Sequence, residues 1–326
     1  FNFFLMSTSV ASVSAPVAVE RGSRMGNRIF YLLCLAAALS IGLLLVLVAY
    51  QLFKGSHLAM KQFGWGFLVR SIWDPVNDDY GALPFIFGTF VTSVIALLIA
   101  VPLSVGTAIY LTDLAPLWLR QPLVSVIEML AAVPSVIWGL WGIFVLIPWL
   151  RIGVYPFLQK WLGFLPFFQG PIFGIGILTA GIIVAIMILP IVTSVSREVL
   201  RSVPNLQREA AYGLGATRWE VTRIAVLSYA RRGIFGAAVL GLGRALGETM
   251  AVTMVIGNNP QIAKSLFAPG STLASVIANE FTEANTDMHL SVLFELGLVL
   301  LGLTIAINII AQFMIRAISS PETRRA

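Results

Sequence analysis

Long apolar runs separated by short polar segments dominate the chain. Six of these runs reach about 20 residues, the length that an α-helix needs to cross a hydrocarbon core. The predicted transmembrane helices are Ile29–Phe53, Ile86–Leu111, one within Gln121–Leu150, Gly174–Val195, Arg232–Ile256 and Leu290–Ile315. Pro102 predicts a kink in the second helix, and Pro134 and Pro148 predict a break or re-entrant piece in the third. The pattern indicates an all-α membrane protein.

Composition supports the same class. Apolar residues make up 58% of the chain and charged residues 11%, whereas soluble domains carry roughly 25% charged residues. The net charge of +6 is explained by topology, because 14 of the 21 Lys and Arg residues fall in the two tails, the loop around Asp113 and segment 197–232. The positive-inside rule therefore predicts that both termini and segment 197–232 are cytoplasmic, and no nucleic-acid partner is expected.

The same pattern gives the domain organisation. Residues 1–28 are predicted to be a disordered cytoplasmic tail, followed by the first transmembrane helix at 29–53 and an external loop at 54–85. Residues 86–316 form the core, with the cytoplasmic loop 197–232 inside it, and residues 317–326 form a cytoplasmic tail. A cleavable signal peptide is the alternative for the N-terminus, but the apolar stretch is too long for one.

Most familiar catalytic patterns are missing from the sequence. Cys34 is the single cysteine, and the two histidines, His57 and His289, are far apart in sequence, which argues against a disulfide framework and a metal site. No glycine precedes a lysine, so there is no P-loop, and neither HExxH nor GxSxG occurs. We expect no catalytic site, no cofactor and no ATPase of the chain's own.

The cytoplasmic loop is too structured for a simple connector. Ser202 and Pro204 predict a helix start, Gly213 and Gly215 predict its end, and Thr217–Glu220 fits a capping box that starts a second helix. The first short helix carries Glu209, Ala210 and Ala211. These residues predict an elbow of two short helices with a flat surface for another protein. The alternative is a polar loop whose arginines face lipid headgroups.

The fifth predicted span carries two charged residues at membrane depth. Arg244 and Glu248 are four residues apart, hence on one face of a helix, and Gly243 and Gly247 form a GxxxG pattern beside them. Ionisable residues inside a membrane normally face a polar interior and mark function. A guanidinium with five donors suits an oxyanion, so we assign both residues to a translocation path. The alternative is a structural ion pair.

Two further acidic residues, Glu128 and Glu295, fall inside predicted spans. A carboxylate in an anion pathway is unfavourable unless it is protonated or paired. We therefore favour a gate or packing role for both residues over contact with a substrate.

The sequence resembles a known transporter family. Glu209-Ala210-Ala211 followed by Gly215 is similar to the EAA motif of binding-protein-dependent ABC importer permeases, although Ser228 stands where that family usually has proline. The resemblance implies a MetI-like fold in which coupling helices dock on an ATP-binding subunit. It assigns Glu209, Ala210, Ala211 and Gly215 to coupling with that ATPase.

A narrower resemblance covers most of the chain. The segments Trp73–Val76, Gly81–Phe85, Ala131–Ser135 and Gly243–Val252 are similar to permease subunits of phosphate-specific ABC transporters. The resemblance implies a bacterial cytoplasmic (inner) membrane, a PstA-type second permease subunit, PstB-type ATP-binding subunits and a PstS-type phosphate-binding protein. The rival hypotheses are an ABC permease for molybdate or sulfate, and an ATP-independent secondary transporter or channel.

Overall fold

A computed structural model describes residues 24–317 of the 326-residue chain. These residues are mostly helical, with one short antiparallel β-ribbon. The elements are α1 (Arg24–Gly55), α2 (His57–Phe63), β1 (Trp73–Asp74), β2 (Asp79–Tyr80), α3 (Leu83–Ile109), α4 (Leu117–Ala131), α5 (Ser135–Trp141), α6 (Ile147–Trp149), α7 (Tyr155–Leu162), α8 (Ile177–Arg201), α9 (Asn205–Gly213), α10 (Arg218–Glu220), α11 (Leu227–Leu246), α12 (Met250–Val255), α13 (Leu273–Glu280) and α14 (Asp287–Ala317). The π-helical turns are Tyr110–Leu114, Gly142–Leu146, Leu150–Val154 and Val221–Val226, and the 3-10 turns are Gly64–Leu68 and Pro166–Phe168.

Six helical stretches of the described chain are long and apolar enough to cross a membrane, judged by length and composition. They are Gly26–Gly55, Leu83–Leu114, Ser135–Leu162, Ile177–Arg201, Arg218–Leu246 and Asp287–Arg316. The prediction of an all-α membrane protein with about six spans is confirmed.

The chain divides into two compact units, one ending at Tyr50 and the other beginning at Gln51. In the first unit, the side chains from Gly26 to Val48 are all exposed. A helix that is apolar on all sides is either buried in a protein core or spans a membrane. Because these side chains are not buried within the chain, α1 has the character of a membrane span. The helix begins at Arg24, inside the segment predicted as a tail; the rest of that tail and the C-terminal residues 318–326 lie outside the described residues.

The centre of the second unit is the pairing of α3 with α8. Small residues recur on α3 at every fourth position, and all of them are buried: Gly88, Thr92, Ala96, Ala100, Ser104 and Ala108. Residues four apart lie on one face of a helix, so they form a smooth ridge along its whole length. Small residues let the backbones of membrane helices approach closely, and the Ser104 hydroxyl donates to the Leu189 carbonyl of α8 at 3.0 Å. This ridge fixes the two helices against each other.

The third span breaks where the proline pattern predicted a break. Helix α4 ends at Ala131, and the crossing begins after Pro134 and runs as one helical stretch from Ser135 to Leu162, through two π-helical turns. The predicted range of 121–150 therefore started and ended too early. Glu128 lies exposed on α4, which Pro134 separates from the crossing, so Glu128 falls outside the six candidate spans.

The fifth span starts earlier and ends earlier than predicted. It runs from Arg218, directly after the elbow, to Leu246, and the helix stops at Gly247. The chain then forms α12, which packs against α5 and α8. The second helix of the predicted elbow is therefore the foot of the fifth membrane helix. Ser228 lies inside this continuous stretch, where a proline would remove a backbone donor.

A dense aromatic cluster closes the end of the unit at which α3 begins. Trp73 of β1 packs edge-on against Tyr80 and Phe85, with ring centroids 4.9 Å and 4.7 Å apart. The indole N–H of Trp73 donates to Glu280, and the His289 ring lies 3.0 Å from the same carboxylate. Burial and the nearby Asp78 carboxylate raise the pKa of Tyr80. We call this set of residues the aromatic end.

Candidate coupling and translocation sites

The four predicted coupling residues lie together on one exposed elbow. Glu209, Ala210 and Ala211 are on α9, and Gly215 follows its end. Glu209, Ala210 and Gly215 are exposed, and Ala211 is half-buried. The carboxylate of Glu209 and the small residues beside it are therefore open to a second protein.

Local sequence explains why the chain turns at this point. Pro204 precedes α9 in an extended conformation. The ring of a proline disfavours the helical conformation in the residue before it, so α8 does not continue into α9. Gly215 has φ of +83°, a left-handed conformation that favours glycine after a helix. Thr217 and Glu220 form the predicted capping box, in which the Glu220 carboxylate accepts from the Thr217 backbone N–H at 2.7 Å. The helix boundaries predicted for the elbow are confirmed.

The elbow also exposes large apolar side chains. Leu214 is 90% exposed and Leu206 is 76% exposed, and Tyr212 and Trp219 are also exposed. Large apolar side chains grouped on one exposed segment are typical of a protein contact. The predicted flat surface is thus flanked by apolar residues that a partner could cover.

A partly buried ion pair, which no pattern in the sequence indicates, attaches α9 to the rest of the molecule. The Arg208 guanidinium donates to Asp113 Oδ1 at 2.6 Å and to the Leu200 carbonyl at 2.9 Å. The Thr222 hydroxyl donates to Asp113 Oδ2 at 3.2 Å. Arg208 directly precedes the Glu209 motif, but 95 residues separate it from Asp113, and no local spacing reveals such a pair.

The two residues predicted to line a translocation path lie at and just beyond the end of the fifth span. Arg244 is exposed in the last turn of α11. Three residues earlier, Gly241 packs closely on Val192 and Ile188 in the middle of α8, which places Arg244 near the middle of the crossing. An exposed guanidinium at that depth requires water, an anion or a partner subunit.

Glu248 does not share a helix with Arg244, because the helix ends between them. The ion pairs of the described chain join Arg70 to Asp79, Arg208 to Asp113 and His289 to Glu280. Arg244 and Glu248 therefore form no ion pair with each other in this stretch of the chain. The Glu248 carboxylate instead accepts from the backbone N–H of Ala251 at 3.4 Å, at the start of α12.

Glu295 is buried inside α14 at 6% exposure. Its Oε2 atom has no hydrogen-bond partner, and the side chain borders an apolar cavity lined by Met60, Trp65 and Leu298. This placement agrees with a packing or gate position and separates Glu295 from Arg244. Within residues 24–317, no cluster of three His, Cys, Asp or Glu side chains has the arrangement of a metal site.

Comparison with known proteins defines the family. Residues 100–320 match the family of binding-protein-dependent transport system inner membrane components. The phosphate transport system permease protein PstC of Mesorhizobium japonicum is 48% identical over 307 residues, which is 93% of this chain and 94% of the relative. The protein of the same description from Haemophilus influenzae is 49% identical over 282 residues, 85% of this chain and 89% of the relative.

A solved structure has the same fold. It is a bacterial ABC transporter involved in the import of the acidic polysaccharide alginate, with a TM-score of 0.55 at 18% identity, and the match covers 91% of this chain and 100% of that chain. The helical architecture and the elbow are consistent with the family of the close relatives. The chain belongs to the family of binding-protein-dependent transport system inner membrane components and, within it, to the phosphate transport system permease proteins.

Proposed function

We propose that this chain is the membrane-spanning permease subunit of an ATP-driven importer of inorganic phosphate. The observation that carries the proposal is the exposed elbow, whose second helix continues without a break into the helix that ends beside Arg244. The near-full-length similarity to phosphate transport permeases supports phosphate as the substrate. The subunit supplies the path, and partner subunits supply ATP hydrolysis.

The partners follow from this role. A PstA-type permease subunit completes the path, PstB-type ATP-binding subunits dock on the elbow, and a PstS-type binding protein delivers phosphate on the opposite side. The distribution of Lys and Arg supports a cytoplasmic position for the elbow and both termini. The bacterial cytoplasmic membrane is the location that this arrangement requires.

Transport proceeds by movement of the elbow. Closure of the ATP-binding subunits on ATP pushes α9, whose exposed Glu209 and small neighbours form the contact. Because Thr217 and Glu220 cap the start of the fifth span, displacement of the elbow tilts that span rather than unwinding it. The tilt moves Arg244 and alternately opens the path to each side.

Arg244 supplies the attraction for the anion. Its guanidinium is exposed and unpaired with Glu248 within residues 24–317, so its donors are free for phosphate oxygens. Glu248 lies one helix break further on and moderates the positive charge, so the anion passes instead of staying bound.

The test uses the complete transporter in proteoliposomes, with labelled phosphate outside and ATP inside. Arg244→Gln is expected to lower uptake about tenfold or more, since a hydrogen bond to a charged group contributes roughly 1.5–3 kcal/mol. Arg70→Gln, which changes an exposed arginine at the aromatic end, is the matched control and should leave uptake unchanged. Normal phosphate uptake by Arg244→Gln would refute the assignment of the path.

A second measurement tests the coupling role. Glu209→Lys and Gly215→Val should leave the subunit in the membrane but separate ATP hydrolysis from phosphate uptake, because one alters the docking contact and the other the turn. Competition by molybdate or sulfate identifies another oxyanion as the substrate. Uptake by the subunit without any ATPase contradicts the proposal outright.

A further inference from the structure

We propose that Asp113 is a positioning residue that ties the coupling helix to the second membrane helix, so that displacement of α9 reaches α3 directly. The inference rests on the proposed function, since it describes how the elbow transmits movement. It assigns a role in transport to a residue outside the coupling motif.

The first argument is that α9 lies against the foot of the fifth span without burying a residue of its own. No residue of α9 is buried, and its first residue has no side-chain cap. The small hydrophobic cluster beside it joins α3, α8 and the fifth span, and its buried members are Ala108, Leu200, Val203, Val226 and Ala230. None of these residues belongs to α9, so the described apolar packing does not fix its position.

The second argument is the geometry of the ion pair. The Arg208 side chain is 20% exposed and the Asp113 side chain is 12% exposed. A charge-assisted hydrogen bond of 2.6 Å in such a place is short and directional. Because Arg208 also donates to the Leu200 carbonyl at the end of α8, its guanidinium is held in one orientation. The side chain of α9 that makes this contact is adjacent to Glu209, the residue exposed to the partner.

The third argument is the place of Asp113 in the fold. It lies in the π-helical turn Tyr110–Leu114, which continues α3, and π-helical turns inside helices are frequent at functional sites. Its second oxygen accepts from Thr222 in the π-helical turn of the fifth span. One carboxylate therefore meets α9, the end of the second span and the foot of the fifth.

These contacts define two kinds of route by which a movement of α9 can reach the membrane helices, one along the chain and one through the ion pair. Along the chain, α9 reaches the fifth span through Leu214–Thr217 and reaches α8 through Ser202–Pro204. It has no such connection to α3, and the Asp113 pair supplies one. Without the pair, a push on α9 would reach α3 only indirectly, through α8, against which α3 packs.

The test compares ATP consumption with phosphate uptake in proteoliposomes containing the complete transporter. Asp113→Asn keeps the size of the side chain and removes its charge. We expect the ATP hydrolysed per phosphate transported to rise about tenfold, which lies within the usual range of coupling between sites. Asp113→Glu, which keeps the charge, should restore most of the coupling. Asp79→Asn, in the exposed pair with Arg70, is the matched control and should behave as wild type.

A spin-label measurement gives a readout that does not depend on activity. Labels at the exposed positions Gln207 and Tyr110 report the distance between α9 and the end of α3. The distance distribution should broaden in Asp113→Asn and stay narrow in Asp79→Asn.

The outcomes are distinguishable. A wild-type ratio of ATP to phosphate in Asp113→Asn, with an unchanged distance distribution, would overturn the inference and leave the proposed function standing. If Asp113→Asn fails to assemble, Arg208→Lys takes its place, because a single ammonium cannot reproduce both contacts; a raised ratio supports the inference and a normal ratio overturns it. A wild-type complex without ATP-driven uptake contradicts the proposed function itself.

Discussion

The elbow and the aromatic end are built in opposite ways, although α3 runs from one to the other. At the aromatic end, Trp73, Tyr80 and Phe85 are packed ring against ring, and one carboxylate accepts from an indole and contacts a histidine. At the elbow, α9 buries no residue, and the side chain of Arg208 ties it to Asp113 and to the Leu200 carbonyl. The first region is complete within this chain, whereas the second presents its surface outward.

The difference shows where the molecule needs rigidity and where it needs a partner. A region that must move, or must be completed by another protein, is drawn from the less stable portion of a fold. In the proposed function, the apolar side chains exposed on the elbow become buried only when a partner docks. Stability and coupling are therefore expected to respond to different sets of substitutions.

The largest difference in stability is expected between two glycine-to-alanine substitutions, one in α3 next to the aromatic end and one in α9 of the elbow. Gly88 of α3 lies against the carbonyl of Ser271, so a Cβ at this position would collide with backbone that cannot give way, whereas nothing lies within 4 Å of a Cβ at Gly213 of α9. Gly88→Ala should lower the free energy of unfolding by about 3 kcal/mol, and Gly213→Ala should leave it unchanged or raise it by up to about 1 kcal/mol. Thermal unfolding of the purified subunit in detergent, followed by tryptophan fluorescence, measures both changes. Equal shifts of the two unfolding midpoints would contradict the comparison.

An intermediate effect is expected at Glu280. This carboxylate accepts from Trp73 Nε1 at 3.1 Å and lies 3.0 Å from His289 Nε2, and an amide cannot serve both groups in the same way. Glu280→Gln should cost about 2 kcal/mol, since two partly buried hydrogen bonds lose their charged acceptor. The exposed neighbour Glu283 provides the matched control, for which Glu283→Gln should change stability by less than about 0.5 kcal/mol. Thermal unfolding in detergent, followed by tryptophan fluorescence, checks both values.

The smallest effect concerns two capping boxes of the same design. Thr272 caps α13 in a buried site, with its hydroxyl accepting from the Ser275 N–H at 3.1 Å, and Thr217 caps the foot of the fifth span in an exposed site. Thr272→Ala should cost about 1–2 kcal/mol and Thr217→Ala about 0.5–1 kcal/mol, because water replaces the lost acceptor only at the elbow. The same unfolding assay applies. A larger loss from Thr217→Ala would reverse the order that burial predicts.

Much of the fold follows from the sequence because bilayer length and backbone hydrogen bonding leave few alternatives. The apolar runs predicted six spans, and the elbow was placed correctly because proline, glycine and the capping box act on their immediate neighbours. The end of the fifth span was missed. Gly243–Val252 keeps an apolar helical pattern through Gly247, and the break follows from the packing of α12 on α5 and α8.

The candidate sites also contain features that the sequence predicts and features that it does not. The exposure of Glu209 and Gly215 was predictable, since a polar, glycine-bounded helix cannot be buried without partners for its ends. The pairing of Arg208 with Asp113 was not, because it depends on how α3 and α8 bring two distant turns together. The roles of Arg244 and Glu248 in a path remain predictions that transport measurements can decide.

The unbroken helical stretch from Arg218 to Leu246 has a geometric consequence. Its 29 residues, at 1.5 Å per residue, give a lever about 43 Å long. At that length, a tilt of about 5° shifts the two ends of the helix by roughly 4 Å relative to each other. A displacement of that size exceeds the length of a hydrogen bond, so in the proposed mechanism Arg244 can release a bound anion while the backbone of the chain hardly changes shape.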